Sequence, residues 1–438
     1  MEASTVGYLC VAMLAAGLVL GVPVAVALAL AGIYGMWAGA GYAFLAGQMA
    51  SLPYAVTSNY AYAVLPLFVL MGILAERSGI TEEVFRAADV WLRRMRGGLY
   101  QAVVVGSAVF AAISGSTIVN AVVFTRLAFP QMLRYGYNRS LSIGAIAAAG
   151  SFAAMIPPSI TMVIYAIITE QSVGQLLIAG IVPGVLTAAV YMAGLWLMVR
   201  IRPDLAPAIG DHVPLIEKLQ AVKWLWPVLL LIGLVLGGMY FGLFPPSSAG
   251  AVGAFGVFMI FLVRLRRRFA GPLMGALIDT AAVSCIVFAV LIGGLIFSRM
   301  LVVLGVIDGF VGIITAIADT PLEFMALACV FYLVLGCFLD TTSMMVVTLP
   351  FVFPVVQRLE IDPIWFGIVL VKLVEISVVT PPVGMNLFAV MSAVDDQTRF
   401  SHVARGVMPF IGLELIVLAL LVAFPELVTW LPQKMLQR

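Results

Sequence analysis

The chain has 438 residues, of which 63% are hydrophobic and 10% charged, against roughly 25% charged in an ordinary soluble domain. With 23 Lys and Arg against 21 Asp and Glu, the formal net charge is only +2. This excludes a soluble globular protein, a disordered chain and a basic nucleic-acid binder, and leaves a polytopic α-helical membrane protein.

Candidate spans run the length of the chain. In order they are Val6–Leu20, Val22–Gly39, Tyr54–Ala75, Gly174–Val199, Trp224–Phe244, Pro246–Val263, Leu273–Phe297, Ile364–Val394 and Gly406–Phe424. Each approaches the roughly 20 apolar residues that cross a bilayer. Between them lies Ile80–Arg96, with Val84, Phe85, Ala88, Trp91 and Leu92 near helical spacing and charges on the other side. It reads as an interfacial amphipathic helix. Two further apolar regions, Leu99–Met132 and Leu322–Val356, are longer than one crossing. Each is interrupted near its middle by small polar residues, Ser114-Gly115-Ser116-Thr117 and Asp340-Thr341-Thr342-Ser343. A helical hairpin that enters and leaves by one face accounts for both.

The two halves repeat. Phe129-Pro130 recurs as Phe353-Pro354, Arg134 as Arg358, Pro157-Pro158 as Pro381-Pro382 and Thr117 as Thr341, all at an offset of 224 residues. The chain divides into a first repeat (1–200), a linker (201–223) and a second repeat (224–438). Hairpin 1 covers about 99–134 and hairpin 2 about 322–358. A broken helix covers about 140–170 in the first repeat and about 363–394 in the second. Five crossings per repeat invert the second relative to the first. With the N-terminus outside, 17 of the 23 basic residues fall in cytoplasmic segments, 4 outside, and Arg126 and Lys372 within apolar runs. That asymmetry obeys the positive-inside rule. The linker then lies on the cytoplasmic side.

The polar interruptions carry the chemistry. A proline pair inside an apolar helix removes two backbone donors and frees carbonyls one turn earlier. Such broken backbone survives at membrane depth only inside protein or beside water. Freed carbonyls beside Ser and Thr hydroxyls are hard, neutral ligands suited to Na⁺. Two cation sites are expected. Site 1 joins Ala112, Ser114, Gly115, Ser116 and Thr117 of hairpin 1 to Phe152, Met155, Pro157 and Ser159. Site 2 joins Gly336, Asp340, Thr341, Thr342 and Ser343 of hairpin 2 to Ser377, Thr380, Pro382 and Val383. Hydroxyls bonded back to their own helices are the competing structural account. Exposed helix N-termini at the tips favour an anion, expected among Ser116, Pro158, Thr342 and Asn386.

Charges inside the membrane are costly and mark function or pairing. Asp340 would tune a cation site, cap a half-helix or bind a proton. Lys372 and Glu375 share a helix face at i,i+3 and are expected to pair. Arg126 is expected to snorkel. Asp279 and Glu414 show no partner. Cys10, Cys285, Cys329 and Cys337 lie in apolar runs as inert thiols, and the distant His212 and His402 make no zinc pair. No catalytic residues and no cofactor are expected, and no nucleotide fingerprint with Lys-Ser/Thr occurs.

Several segments together resemble one family. They are Ile156-Pro157-Pro158-Ser159-Ile160 with Tyr165, Thr169-Glu170-Gln171-Ser172-Val173-Gly174, Ala179-Gly180-Ile181-Val182-Pro183-Gly184, Phe338-Leu339-Asp340, Ile361-Asp362-Pro363, and Thr380-Pro381-Pro382-Val383-Gly384-Met385-Asn386-Leu387-Phe388. The chain resembles the large membrane subunit of tripartite ATP-independent periplasmic (TRAP) transporters from about residue 20 to 410. The resemblance implies an all-α, inverted-repeat, elevator-type transporter with two re-entrant hairpins and two broken helices. It implies Na⁺-driven import of an organic acid anion, a carboxylate or sulfonate, across the bacterial inner membrane. It also implies two partners, a small membrane subunit of about four helices and a periplasmic substrate-binding protein. The first repeat starts almost at residue 1, so the small subunit is expected as a separate chain. Ile118, Asn120 and Ser377 are bulkier than the family pattern at their positions. A stand-alone cation–anion symporter of similar architecture fits the same physics.

Overall fold

The computed structural model describes residues 3–207, 213–382 and 384–436, and all regular structure among them is helical. His212 and Val383 lie outside the described residues. Five helices are long and apolar enough to cross a membrane, and up to eight if three bent helix pairs count as spans.

One group of helices is built on close packing of small residues. The 34-residue helix Ala270–Val303 runs along Val24–Ala40. At about 1.5 Å rise per residue it exceeds the roughly 30 Å hydrocarbon core and must tilt. Gly32 lies against the backbone of Ile296 and Phe297, where an added Cβ would come within 2.9 Å. Without a hydrophobic driving force between helices in lipid, such small-residue seams hold them together through van der Waals contact. Pro246–Leu265 packs in the same way on Val64–Arg77. Arg77 pairs with Asp279 of the long helix, which supplies the partner that sequence reading lacked.

Two expected spans differ in detail, and one helix is new. The span read as Tyr54–Ala75 is split, because Asn59 ends the helix Tyr42–Ser58 and its side chain accepts from the N–H of Ala61 at 3.0 Å. Val64–Arg77 then starts afresh. The span read as Trp224–Phe244 contains a π-helical stretch at Gly233–Gly237, bounded by Trp226–Ile232 and Gly238–Tyr240. Its glycines give the backbone little reason to hold a regular ladder. Gly174–Val199 is met by one 29-residue span, Val173–Ile201, with a local irregularity at Gly180. The helix Val306–Ile317 was not foreseen. It joins Pro321–Leu335 at a 111° bend.

The amphipathic segment forms a helix over Ile80–Leu92. Val84, Phe85 and Ala88 are buried, whereas Trp91 stays half-exposed and donates its indole N–H to the carbonyl of Lys218 at 3.1 Å. Arg264 ties the helix to Pro246–Leu265 through Glu83 at 2.6 Å.

Candidate functional site

Both polar interruptions are chain reversals between two helices. In the first half, Gly98–Ser114 ends at Gly115, whose φ of +60° is a left-handed conformation that favours glycine. Ser116 then opens Thr117–Arg134, its Oγ accepting from the N–H of Val119 at 3.4 Å. In the second half, Pro321–Leu335 gives way to a turn, and Asp340 opens Thr341–Arg358. One carboxylate oxygen of Asp340 accepts from the N–H groups of Thr342 and Ser343, each at 3.1 Å. Of the roles considered for Asp340, the geometry shows the helix cap. Ser116 and Asp340 occupy repeat-equivalent positions 224 residues apart. Tyr332 and Thr348 bridge the arms of the second reversal at 2.7 Å. Asn120 donates to the carbonyl of Ser107 at 3.2 Å across the first and accepts from its hydroxyl at 2.9 Å. The bulk noted at Asn120 therefore closes the arms onto each other.

The proline pairs break their helices as freed backbone requires. Arg139–Gly150 continues through Phe152–Met155, stops at Ile156, and resumes at Ile160–Ile168 with a 40° bend. Pro363–Ser377 stops before Val378 and resumes at Met385–Met391. Both proline–proline bonds are cis.

Each tip lies against the break of its own half. A Cβ at Gly115 would sit 2.9 Å from the carbonyl oxygen of Pro158. A Cβ at Gly336 would collide with the side chain of Ser377, and the thiol of Cys337 faces the carbonyl of Pro381 at 3.8 Å. Ala112 is the repeat-equivalent of Gly336, 224 residues earlier, and is buried in the first arm. Phe152, Met155, Pro157 and Ser159 are buried, with Ser116 and Thr117 half-buried at the tip. In the second half Ser343 and Ser377 are buried, Thr341, Thr342 and Thr380 are half-buried, and Pro382 is exposed.

Several hydroxyls are already engaged. Ser159 donates to the carbonyl of Ala154 at 2.6 Å, Ser377 to Val374 at 2.7 Å and Thr380 to Ile376 at 2.7 Å. Ser114 differs, since its Oγ is buried at the first tip with no hydrogen-bond partner among the described residues. A buried polar atom without a partner costs about 1–3 kcal/mol, so this oxygen is ready for a ligand. The oxygens within reach at the tips are neutral except Asp340, and no group of three or more His, Cys, Asp or Glu gathers among the described residues. Neutral hydroxyl and carbonyl oxygens are hard donors, unlike the imidazole and thiolate ligands that most transition-metal sites use.

The four residues expected to meet the anion are drawn from both halves of the chain. Ser116 and Pro158 belong to the first tip and break, and Thr342 to the second tip. Asn386 is fully buried and donates to the carbonyl of Ala147 at 3.2 Å, which ties the second broken helix to the first; its Oδ1 has no partner among the described residues.

Between the two breaks lies a buried ionic cluster. Lys372 donates to Glu375 at 2.9 Å and to the Thr187 hydroxyl at 2.9 Å, and pairs with Glu414. Tyr191 donates to Glu414, and Ser151 to Glu375 at 3.3 Å. Lys372, Glu375 and Glu414 are all 0% exposed. The expected Lys372–Glu375 pair is present, and Glu414 is its missing third member. Ser151 and Glu375 are repeat-equivalent and touch each other, so the cluster marks where the two halves meet. One signal for it was available: an isolated carboxylate in an apolar run needs a cation, and Lys372 was the only lysine in one.

The chain is similar to known proteins. The family described as "Tripartite ATP-independent periplasmic transporter, DctM component" matches residues 11–427. The chain is 31% identical over 377 residues to the C4-dicarboxylate TRAP transporter large permease protein DctM of Pseudomonas aeruginosa, covering 86% of this chain and 87% of that one. It is 29% identical to the sialic acid TRAP transporter large permease protein SiaM of Vibrio cholerae, with 86% and 87% covered. The fold resembles the crystal structure of the Alcanivorax borkumensis YdaH transporter, with a TM-score of 0.60 and 17% identity over 88% of this chain and 89% of that one. With the family matched over nearly its whole length and its apolar helices in place, the chain belongs to the DctM family of TRAP transporter large membrane subunits, multi-pass proteins of the bacterial inner membrane.

Proposed function

We propose that this chain imports an organic acid anion, a carboxylate or sulfonate, driven by Na⁺ and supplied by a periplasmic substrate-binding protein. A small membrane subunit braces the helices that carry the glycine seam. The reading is supported chiefly by one observation: each hairpin tip lies against the proline break of its own half, with neutral oxygens between them. Na⁺ binding in these two places would fix tip and break as one body. The orphan Ser114 Oγ and freed carbonyls near Pro158 would serve the first ion. Carbonyls near Pro381, with Asp340 close by, would serve the second. The anion would sit near the tips, where helix N-termini point. The two hairpins and broken helices would move together against the fixed glycine-seam helices, as an elevator. Relatives named for a C4-dicarboxylate and for sialic acid are almost equally similar, so we assign the class of substrate and not its member.

The test is uptake of radiolabelled organic acids into proteoliposomes holding this chain and its small partner, with the Na⁺ gradient and the binding protein varied independently. Uptake that requires both is expected. Uptake that needs Na⁺ but no binding protein would favour a stand-alone symporter. Uptake of a competent substrate without Na⁺ would remove both cation sites.

A further inference from the structure

The arginine-rich end of the molecule carries a cavity of about 490 Å³ that the transport reading does not use. It opens where Arg139–Gly150 and Phe400–Ala423 begin and where Ile181–Ile201 ends. Two guanidiniums, Arg202 and Arg405, stand on its wall, and among the described residues no carboxylate lines it. Both arginines are exposed, and neither has an acidic partner among the described residues. Asp395, a nearby acid, is taken by Arg139 at 2.9 Å. Asn138 and Ser140 add polar groups at one side, and Leu141, Met198, Ile201, Leu205 and Pro409 make the rest of the wall largely apolar. Outside the cavity the surface is lipid-like in chemistry: Trp196, Leu197 and Met408 are each about half-exposed. Arg200 lies over the ring of Trp196 at 5.2 Å, a pairing that fits the headgroup level of a bilayer.

These features select an amphipathic anion. The volume falls within the range of about 300–1,000 Å³ that holds molecules of drug size, and a free phosphate would fill a small part of it. Two unpaired guanidiniums match the oxygens of a phosphodiester. The apolar wall continues onto the exposed face, which suits an acyl chain and offers nothing to a soluble metabolite. On the orientation read from the basic residues, this end faces the cytoplasm, where anionic lipid headgroups meet basic pockets between helices.

We propose that this cavity binds the phosphate headgroup of an anionic glycerophospholipid from the cytoplasmic leaflet, held by Arg202 and Arg405. The lipid would lie across the starts of the first broken helix and of the helix carrying Glu414, staying with them as they move.

Native mass spectrometry of the full chain, delipidated in detergent, tests this without any transport readout, so its failure and the failure of the Na⁺ reading are distinguishable. Phosphatidylglycerol, phosphatidylethanolamine and phosphatidylcholine of equal acyl composition are offered, with inorganic phosphate as a separate arm. The expected result is one retained phosphatidylglycerol, preferred over both zwitterionic lipids. Arg202→Gln with Arg405→Gln is expected to lower that retention roughly tenfold or more. Arg94→Gln, an exposed arginine away from the cavity, is expected to leave it unchanged. Equal retention by the double variant, equal retention of phosphatidylcholine, an equal loss in Arg94→Gln, or displacement of the lipid by millimolar phosphate would each overturn the proposal.

Discussion

The two halves follow one plan but finish it differently. In the first, the prolines of the break are buried, and Ser159 caps the resumed helix through its contact with the N–H of Met162 at 3.3 Å. In the second, Pro382 is exposed, and the resumed helix starts at Gly384 with no side-chain cap. The other caps invert this pattern of strength. Ser116 and Asn138 open helices in the first half, whereas Asp340 and Asp362 open their equivalents in the second. A carboxylate accepts stronger hydrogen bonds than a neutral oxygen and also meets the positive end of the helix dipole. The second half therefore holds its open tip with charge, where the first relies on burial. Repetition preserved the backbone path and left each copy to stabilise it with what its surroundings allow.

The largest test falls where the halves join. Lys372→Met leaves Glu375 and Glu414 as fully buried carboxylates without a cation. Breaking a buried pair on one side costs about 3–5 kcal/mol. Folded yield and melting temperature in detergent are expected to fall sharply, while Glu414→Gln, which keeps an acceptor for Tyr191, loses less. If Lys372→Met melts with the parent, the cluster is not what joins the halves.

The next test sharpens the contrast between tips. Gly336→Ala drives a methyl into the side chain of Ser377, and overpacking of this kind costs about 1–3 kcal/mol. Ser377→Gly removes the obstructing side chain, and the double variant is expected to recover most of the lost stability and Na⁺-dependent uptake. Gly115→Ala has no such rescue, because it meets a backbone carbonyl and also strains a positive φ. Recovery of Gly115→Ala by a side-chain change elsewhere at the first break would show that the two tips are not held differently.

Much of this was legible in the sequence for a simple reason. Polar residues and proline pairs inside apolar runs are conspicuous, so hairpins and breaks stood out at Ser114–Thr117, Asp340–Ser343, Pro157 and Pro381. Other elements had no such contrast. The helix Tyr42–Ser58 and the split at Asn59 lie within an apolar stretch where composition barely changes. The π-helical stretch at Gly233–Gly237 leaves no periodic mark. Glu414 was missed for a subtler reason: the i,i+3 pairing of Lys372 with Glu375 satisfied the lysine locally and hid its third contact, which only the folded packing of three helices brings within reach. The hydrogen bonds of the hydroxyls were the least legible, since Ser159, Ser377 and Thr380 each donate to a carbonyl that only the folded backbone brings near.

A smaller effect compares the caps directly. Ser116→Ala and Asp340→Ala each remove an N-cap, at about 1 kcal/mol. Asp340→Ala is expected to cost more, because it loses two hydrogen bonds to Ser116's one. Asp340→Asn retains an acceptor, so stability close to the parent is expected. If Asp340→Asn nonetheless abolishes Na⁺-dependence of uptake, the charge serves the second ion beyond the cap. Equal melting of the two alanine variants would break the distinction between charged and neutral capping.

The smallest effect concerns a surface link between the halves. Arg139, at the start of the first broken helix, holds Asp395, which follows the second, at 2.9 Å. The Thr398 hydroxyl, followed by Arg139, keeps the Asp395 carboxyl below its ordinary value. A depressed carboxylate stabilises the fold above the unfolded value of about 4 and loses that contribution as pH falls through the folded value. The Asp395 side chain is about half-exposed, and screening limits exposed pairs to about 0–1 kcal/mol. Asp395→Asn is therefore expected to lower the melting temperature slightly and by a constant amount from pH 6 to 8 on the order expected for such a pair. The gap to the parent should close in acid below about pH 4, and it should shrink in high salt. A gap that widens in acid would mean that the carboxylate is destabilising where it stands, and that the halves are held at this end by packing of Gly144 against Gly406 and not by charge.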